Sequence, residues 1–204
     1  MRLIHLAAVF VMSALPAMAT AADTPPALPE KSFDALGIPS PPPLASAEKY
    51  QTNTERAVVS GTTVADLRAF MDAHPTTDYV ATTEAIPEIA GFTYLSGTWP
   101  AVGAVRRVDL ADGSTVHERV LVNTPDNFAY QIWDISAGPG RFIDHIKGEF
   151  RWIETDGQVE VIWDYNIKPS LFIARPFING FLRNDFGPFM AAGLGGQMEA
   201  FAAQ

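Results

Sequence analysis

Apolar and polar residues alternate through much of the second half of the chain, which is the pattern of strands with one buried face. Turn residues divide these runs between Gly91 and Pro169, and the pairs Asp112-Gly113 and Asp156-Gly157 are typical of tight hairpins. One further run lies earlier in the chain. The predicted strands are 55–60, 92–99, 105–110, 116–122, 128–135, 145–154 and 158–167. Strands joined by turns this short predict an antiparallel meander.

Between the first strand and the second, apolar residues spaced three or four apart predict a helix. Thr63 is its predicted N-cap, Asp66 stands at the third helical position, and Pro75 is the predicted stop. A second short helix is predicted over 83–89. This helix would lie directly before the meander.

The chain after Pro169 has the spacing of a long C-terminal helix with a broad apolar face. Pro176 suits a first helical turn, whereas Gly187-Pro188 predicts a kink or a split. The apolar face consists of Phe177, Phe181, Phe186, Phe189, Met190, Leu194, Met198 and Phe201.

This order of elements predicts an α+β fold. A meander must bury one face, and the last helix is the long amphipathic element available to cover it. We therefore expect a curved antiparallel sheet of about seven strands around a long C-terminal helix, with one or two short helices after the first strand. Such a sheet leaves room between itself and the helix, lined by alternate residues of each strand.

The N-terminus predicts export. Arg2 precedes an apolar run over 3–14, and Ala17-Met18-Ala19 gives the small-x-small pattern of a signal-peptide cleavage site. A membrane anchor is disfavoured because the run is shorter than the roughly 20 residues that a bilayer span needs. We predict a signal peptide over 1–19, with cleavage after Ala19 or alternatively after Ala21 or Ala22, and a periplasmic or secreted protein.

Residues 20–49 are rich in proline and predict a semi-rigid linker before a single domain over 50–204. A peptide-recognition ligand is the alternative for this segment. Apolar residues such as Phe33 and Ile38 interrupt the prolines, so part of the segment is expected to lie against the domain.

Charge and composition exclude several classes of function. The net charge of −9 argues against nucleic-acid binding and against attraction to anionic lipid by a general positive field. The chain has no cysteine, which excludes disulfides, thiol chemistry and a lipid anchor. His74, His117 and His145 are widely separated, so neither a metal site nor a cofactor is predicted. No nucleophile, phosphate-loop or dinucleotide motif is present.

Four stretches carry a family resemblance. Residues 103–120 contain G-x-V-R, a D-G turn and then E-R-aliphatic; residues 128–132 contain the pattern aromatic-x-tyrosine. Residues 159–169 form a strand with valines and a tryptophan that ends near a proline, and residues 173–190 begin a long helix with a proline. In this order, over 50–203, they resemble the START-like, helix-grip superfamily (SRPBCC), and within it the bacterial polyketide cyclase/dehydrase and lipid transport group.

The resemblance implies a deep apolar cavity that holds a lipid, sterol, polyketide or other hydrophobic small molecule. Strand alternation and the apolar face of the last helix supply the candidate lining. Tyr130 and Tyr165 are candidates to hydrogen-bond a ligand; the alternative is that such aromatic residues only fill the core. The candidate ligand-binding residues are Arg107, Glu118, Val120, Tyr130, Ile132, Asp134, Trp152, Trp163, Tyr165, Phe181, Phe189 and Met198.

Glu118 is the main polar candidate, because the resemblance implies that the glutamate of the E-R pair faces the cavity. An apolar environment raises the pKa of a carboxyl group, which would suit it to donate to a ligand carbonyl or to act as a general acid or base. The alternative is a structural ion pair with a neighbouring arginine such as Arg107.

Three functions follow as hypotheses. The leading one is a non-catalytic carrier or sensor of a hydrophobic small molecule, without a stable membrane anchor. The second is a cyclase or dehydratase in which Glu118, Tyr130 and Asp134 would hold and protonate a substrate. The third is a protein-interaction module whose proline-rich segment and acidic surface engage an envelope partner of unknown identity.

Overall fold

One seven-stranded antiparallel sheet forms the body of the protein. The structure is a computed structural model that describes residues 31–83, 85–136 and 140–204; the predicted signal peptide and the first part of the proline-rich segment lie outside these ranges. Neighbouring strands follow the order β1-β7-β6-β5-β4-β3-β2. The strands are β1 (Gln51–Ser60), β2 (Ile89–Ser96), β3 (Val105–Leu110), β4 (Thr115–Thr124), β5 (Asn127–Trp133), β6 (Ile143–Thr155) and β7 (Gln158–Pro169).

The predicted meander is confirmed: β2 to β7 pair in sequence order, and β1 pairs with β7 at the end. Turn chemistry explains the register of the β6–β7 hairpin. Asp156 and Gly157 have φ angles of 51° and 74°, the left-handed values that a two-residue hairpin turn requires. Thr155 therefore faces Gln158, and the pairing continues to Ile146 opposite Ile167.

The helices are α1 (Lys31–Ala35), α2 (Val64–Ala73), α3 (Arg175–Phe181) and α4 (Gly187–Ala202). A short 3₁₀ helix, Thr76–Tyr79, follows α2. The second short helix predicted over 83–89 is wrong. Thr83 and Ile86 pair in an isolated bridge and Ile89 already begins β2. Pro87 disfavours helical geometry at the preceding residue, and Thr83 and Ile86 instead exchange two backbone hydrogen bonds across a turn. The short helical turn lies earlier, at Thr76–Tyr79.

The predicted N-cap of α2 is confirmed, since the Thr63 hydroxyl accepts a hydrogen bond from the Asp66 amide at 3.2 Å. We expect Thr63→Ala to lower the free energy of unfolding by about 1 kcal/mol, because an amide at the helix start loses its acceptor. Urea unfolding followed by circular dichroism measures this loss. Thr62→Ala is the matched control, and an equal loss in both variants would contradict the capping role.

The long C-terminal helix is confirmed, but its predicted kink takes the form of a π-helical turn. Leu182–Phe186 form this turn between α3 and α4, and the Gly187 amide donates to the Leu182 carbonyl. The wider turn carries the helical path past Pro188, which has no amide hydrogen. A Cβ atom on Gly187 would lie 2.7 Å from the Leu182 oxygen, so glycine fits this position best. Within the described ranges, no helix has the length and apolarity of a bilayer span.

Part of the proline-rich segment packs on the sheet face opposite the C-terminal helix, as predicted from its apolar residues. Phe33 meets the ring of Trp133 edge to face at 5.9 Å, and Val105 completes a small separate core. The Trp133 indole donates to the Pro39 carbonyl and the Gln131 amide donates to the Pro42 carbonyl, both at 2.8 Å. We call residues 33–45 the outer strap.

Candidate ligand site beneath segment 75–89

Two adjoining cavities lie between segment 75–89 and α4. The first has a volume of about 580 Å³ and the second about 470 Å³. Val80, Ala81 and Phe189 line both cavities, so a ligand in one contacts the wall of the other. These volumes fall within the roughly 300–1,000 Å³ typical of small-molecule sites.

The larger cavity has an apolar wall and a polar rim. Its wall includes Ile86, Ile89 and Phe92, and of these Ile86 is fully buried. Polar and acidic groups at the rim come from Thr77, Asp78, Thr82 and Glu88. Such a cavity favours an apolar ligand body with a polar end turned toward the rim.

Aromatic side chains fill the space between the middle of the sheet and the helix, where the resemblance implied a deep cavity. The Phe186 ring lies 4.1 Å from that of Tyr165, and the Phe150 ring stacks on Trp163 at 5.0 Å. Tyr130 lies flat across β6, and a Cβ atom at Gly148 would overlap its phenol ring. This arrangement agrees with the alternative in which the aromatic residues form the core.

Glu118 and Arg106 form a buried ion pair beside this aromatic core. The Nε and Nη2 atoms of Arg106 each lie 2.6 Å from Oε2 of Glu118. The side chains are 0% and 2% exposed. Burial raises the pKa of Glu118, and the attraction of Arg106 opposes that rise.

The partner of Glu118 is Arg106, not Arg107 as the sequence suggested. Alternate residues of a strand point to opposite faces, and the register places Arg106 opposite Glu118 but Arg107 opposite His117. Arg107 therefore lies on the outer face, where its Nε donates to Asp109 at 2.8 Å. Its predicted position inside the fold is wrong.

Asp134 was also predicted to face inward and does not. β5 ends at Trp133, and Asp134 has a left-handed φ of 51°, which breaks the alternation of the strand. Its carboxylate lies 3.0 Å from Nδ1 of His117 and its side chain is 43% exposed. The cyclase hypothesis therefore loses one of its three predicted groups.

The remaining predicted residues are buried on the helix side of the sheet. Phe189 lines both cavities. Trp152 packs against α2, where its indole donates to the Met71 sulfur at 3.3 Å. The others belong to the main core: Val120, Tyr130, Ile132, Trp163, Tyr165, Phe181 and Met198.

Sequence reasoning missed most of the cavity wall because that wall comes from irregular backbone. Val80, Ala81 and Ile86 lie between the 3₁₀ turn and β2, where the sequence predicted a short helix over 83–89 that does not form. Phe92 was assigned to a strand but not to a site. The available signal was the concentration of apolar residues just before the second strand.

The buried ion pair contacts Phe92, one of the residues that line the larger cavity. The Arg106 guanidinium lies 4.3 Å from the centre of the Phe92 ring and 3.6 Å from that of Trp99. Phe92 lines the larger cavity, whereas neither Arg106 nor Glu118 is among the residues that line it. The ion pair therefore contacts a cavity residue without itself forming part of the cavity lining.

Comparisons with known proteins assign the chain to a family. Residues 53–204 match the family described as polyketide cyclase / dehydrase and lipid transport. No curated protein sequence matches the chain. The fold is similar to that of XoxI from Bacillus cereus, with 16% identity, a TM-score of 0.50 and coverage of 74% of this chain and 95% of that one.

Two further solved structures show the same fold. A START superfamily protein from Mycobacterium smegmatis has 13% identity and a TM-score of 0.50, covering 74% of this chain and 98% of its own. The di-domain ARO/CYC StfQ from the steffimycin biosynthetic pathway has 15% identity and a TM-score of 0.50, covering 77% of this chain and 52% of its own. Its architecture is that of the START-like, helix-grip fold. Since the family match spans most of the sequence, the chain belongs to the polyketide cyclase / dehydrase and lipid transport family.

Proposed function

We propose that the protein is an exported carrier of a hydrophobic small molecule, held in the two cavities beneath segment 75–89. The single observation that carries this proposal is the larger cavity, whose volume of about 580 Å³ is walled by Ile86, Ile89, Phe92 and Phe189. Each Å² of apolar ligand surface buried there would contribute about 25 cal/mol before the costs of association. The polar rim would orient the ligand.

The state of Glu118 favours binding over cyclase or dehydratase chemistry. A general acid or base must reach the proton that it transfers. Two hydrogen bonds from Arg106 converge on one carboxylate oxygen of Glu118, and neither residue is among those that line the larger cavity. Glu118 thus acts as the partner of Arg106, and the pair supports the wall of the site.

Export is part of the proposal and rests on the N-terminal sequence. Cleavage after Ala19 would leave a mature chain that keeps the outer strap and the whole sheet. Mass measurement of the protein recovered from an extracytoplasmic fraction tests this directly. Recovery of an uncut chain in the cytoplasm would overturn the proposal of export and leave the ligand proposal unaffected.

The outer strap bears on the interaction-module hypothesis. Its Pro39 and Pro42 carbonyls already accept hydrogen bonds from Trp133 and Gln131 of the same chain. Residues 33–45 are therefore engaged with their own domain and are poorly placed to present a polyproline ligand to a partner. This favours a carrier over a proline-mediated adaptor.

Filling the cavity is expected to weaken ligand binding. Ala81 lines both cavities, so Ala81→Trp places an indole where a ligand would lie. We expect the Kd for the apolar fluorophore N-phenylnaphthylamine to rise about ten-fold, the equivalent of roughly 55 Å² of apolar surface no longer buried. Fluorescence titration measures the change.

Ala90→Trp is the matched control, because Ala90 is exposed and lies outside the residues that line either cavity. Native mass spectrometry of the wild-type protein should also show a co-purifying apolar molecule that the Ala81→Trp variant retains less well. Equal probe affinity in both variants, or a wild type that neither binds the probe nor carries a ligand, would overturn the carrier proposal.

A further inference from the structure

A second surface, formed by residues that line neither cavity, carries an apolar tip. The turn between β7 and α3 exposes Leu171, Phe172 and Ile173, whose exposed fractions are 56%, 76% and 80%. Phe177, one helical turn later, is 37% exposed. Four large apolar side chains are thus exposed between Leu171 and Phe177. Such a concentration marks an interaction site more often than an isolated exposed residue does.

Cations surround this tip. Lys49, Lys168 and Arg175 line a recess of about 180 Å³ together with Ser170 and Phe172. The Arg175 guanidinium lies 4.8 Å from the centre of the Phe172 ring.

The lining of the recess is positively charged. The described residues that line the recess contribute three cations and no carboxylate. Glu48 adjoins Lys49 and keeps its negative charge; the Ser46 hydroxyl donates to its carboxylate at 2.5 Å, and its backbone carbonyl accepts a hydrogen bond from Arg175 at 3.4 Å. Lys168 donates to the Pro169 carbonyl at 2.8 Å and so keeps its ammonium group at the recess.

We propose that Leu171, Phe172 and Ile173 insert into the interface of an anionic phospholipid membrane while Lys49, Lys168 and Arg175 hold a lipid phosphate in the recess. An apolar tip ringed by cations is how peripheral proteins combine insertion with attraction to anionic lipid. The chain as a whole has a net charge of −9, which an anionic surface repels. Docking therefore occurs through this local cluster, which fixes the orientation of the protein on the membrane.

The absence of cysteine from the sequence allows a clean test. A single Ile173→Cys variant of the full chain is labelled with the environment-sensitive fluorophore NBD and mixed with vesicles of phosphatidylcholine and phosphatidylglycerol in equal parts. We expect a blue shift, higher emission and quenching by lipids that carry a nitroxide in the acyl chain. The probe reports the tip itself, whatever the N-terminal residues do.

Val58→Cys is the matched control, since Val58 is also exposed, at 59%, but pairs with Glu160 toward the other end of β1 and β7. Its label should keep the spectrum seen in water. An unchanged Ile173 spectrum on anionic vesicles, or an equal response at Val58, would overturn the proposal and leave the tip to a protein partner or to no partner.

The charge requirement is tested separately. In the Ile173→Cys background, replacing Lys49, Lys168 and Arg175 by glutamine is expected to lower vesicle affinity roughly 100-fold, given the contribution of each cation near an anionic surface. Arg56→Gln, an exposed cation paired with Glu160, should leave the affinity unchanged. Equal binding to vesicles of phosphatidylcholine alone would overturn the role of the recess. Neither result bears on the cavities, so the carrier proposal stands or falls on its own experiment.

Discussion

Replacing Glu118 with alanine is expected to lower the free energy of unfolding by about 3–5 kcal/mol, because it leaves the Arg106 guanidinium charged, buried and without its carboxylate. The side chain of Arg106 is 0% exposed. The rings of Phe92 and Trp99, at 4.3 and 3.6 Å, offset only part of this loss. Urea unfolding monitored by tryptophan fluorescence measures the effect.

Two controls distinguish the free-energy cost of an unpaired buried charge from the cost of losing side-chain contacts in general. Asp109→Ala breaks the neighbouring exposed pair with Arg107 and should cost less than about 1 kcal/mol. Arg106→Met combined with Glu118→Leu removes both charges and should regain most of the stability lost by Glu118→Ala. If Glu118→Ala were no worse than Asp109→Ala, the ion pair would have no structural role.

Phe186→Ala is expected to cost a similar amount, about 3–5 kcal/mol, because it opens a cavity that rigid neighbours cannot close. Phe186 is fully buried at the end of the π-helical turn. Its ring lies 4.1 Å from that of Tyr165 and stacks on Phe181 and Phe189 at 5.8 and 5.6 Å. Thermal and urea unfolding should both report the loss.

Phe172→Ala is the comparison for this variant, since it deletes the same ring where 76% of the residue is exposed. Its cost should stay within about 0.5 kcal/mol. A Phe186→Ala variant as stable as Phe172→Ala would mean that the aromatic core relaxes freely. In that case the space beneath the helix would be open to a ligand, as the sequence resemblance first implied.

The sheet could be predicted from the sequence because its signals are local. A period of two and the Asp-Gly turns define β3, β4, β6 and β7 to within a few residues, and the side-chain oxygen of Thr63 defines the start of α2. These features depend on neighbours within a few positions along the chain. The C-terminal helix was equally clear from its apolar spacing.

The site could not be predicted as accurately as the sheet, because it depends on contacts between segments that are distant in the sequence. Which of two adjacent arginines meets Glu118 is decided by the β3–β4 register, and one residue of shift exchanges the faces. Segment 75–89 acquires its shape from α4: a Cβ atom on Gly196 would lie 2.7 Å from Cβ of Tyr79. The sequence pattern of the segment itself gives no sign of this close contact with α4.

The outer strap changes where a stable fragment should begin. The family match starts at residue 53, after Phe33, Pro39 and Pro42 have already made their contacts. A polypeptide trimmed to that match would turn Trp133 and Val105 toward solvent on a wide β-surface, which invites self-association. Recombinant versions intended for ligand screening are therefore best started upstream of residue 33.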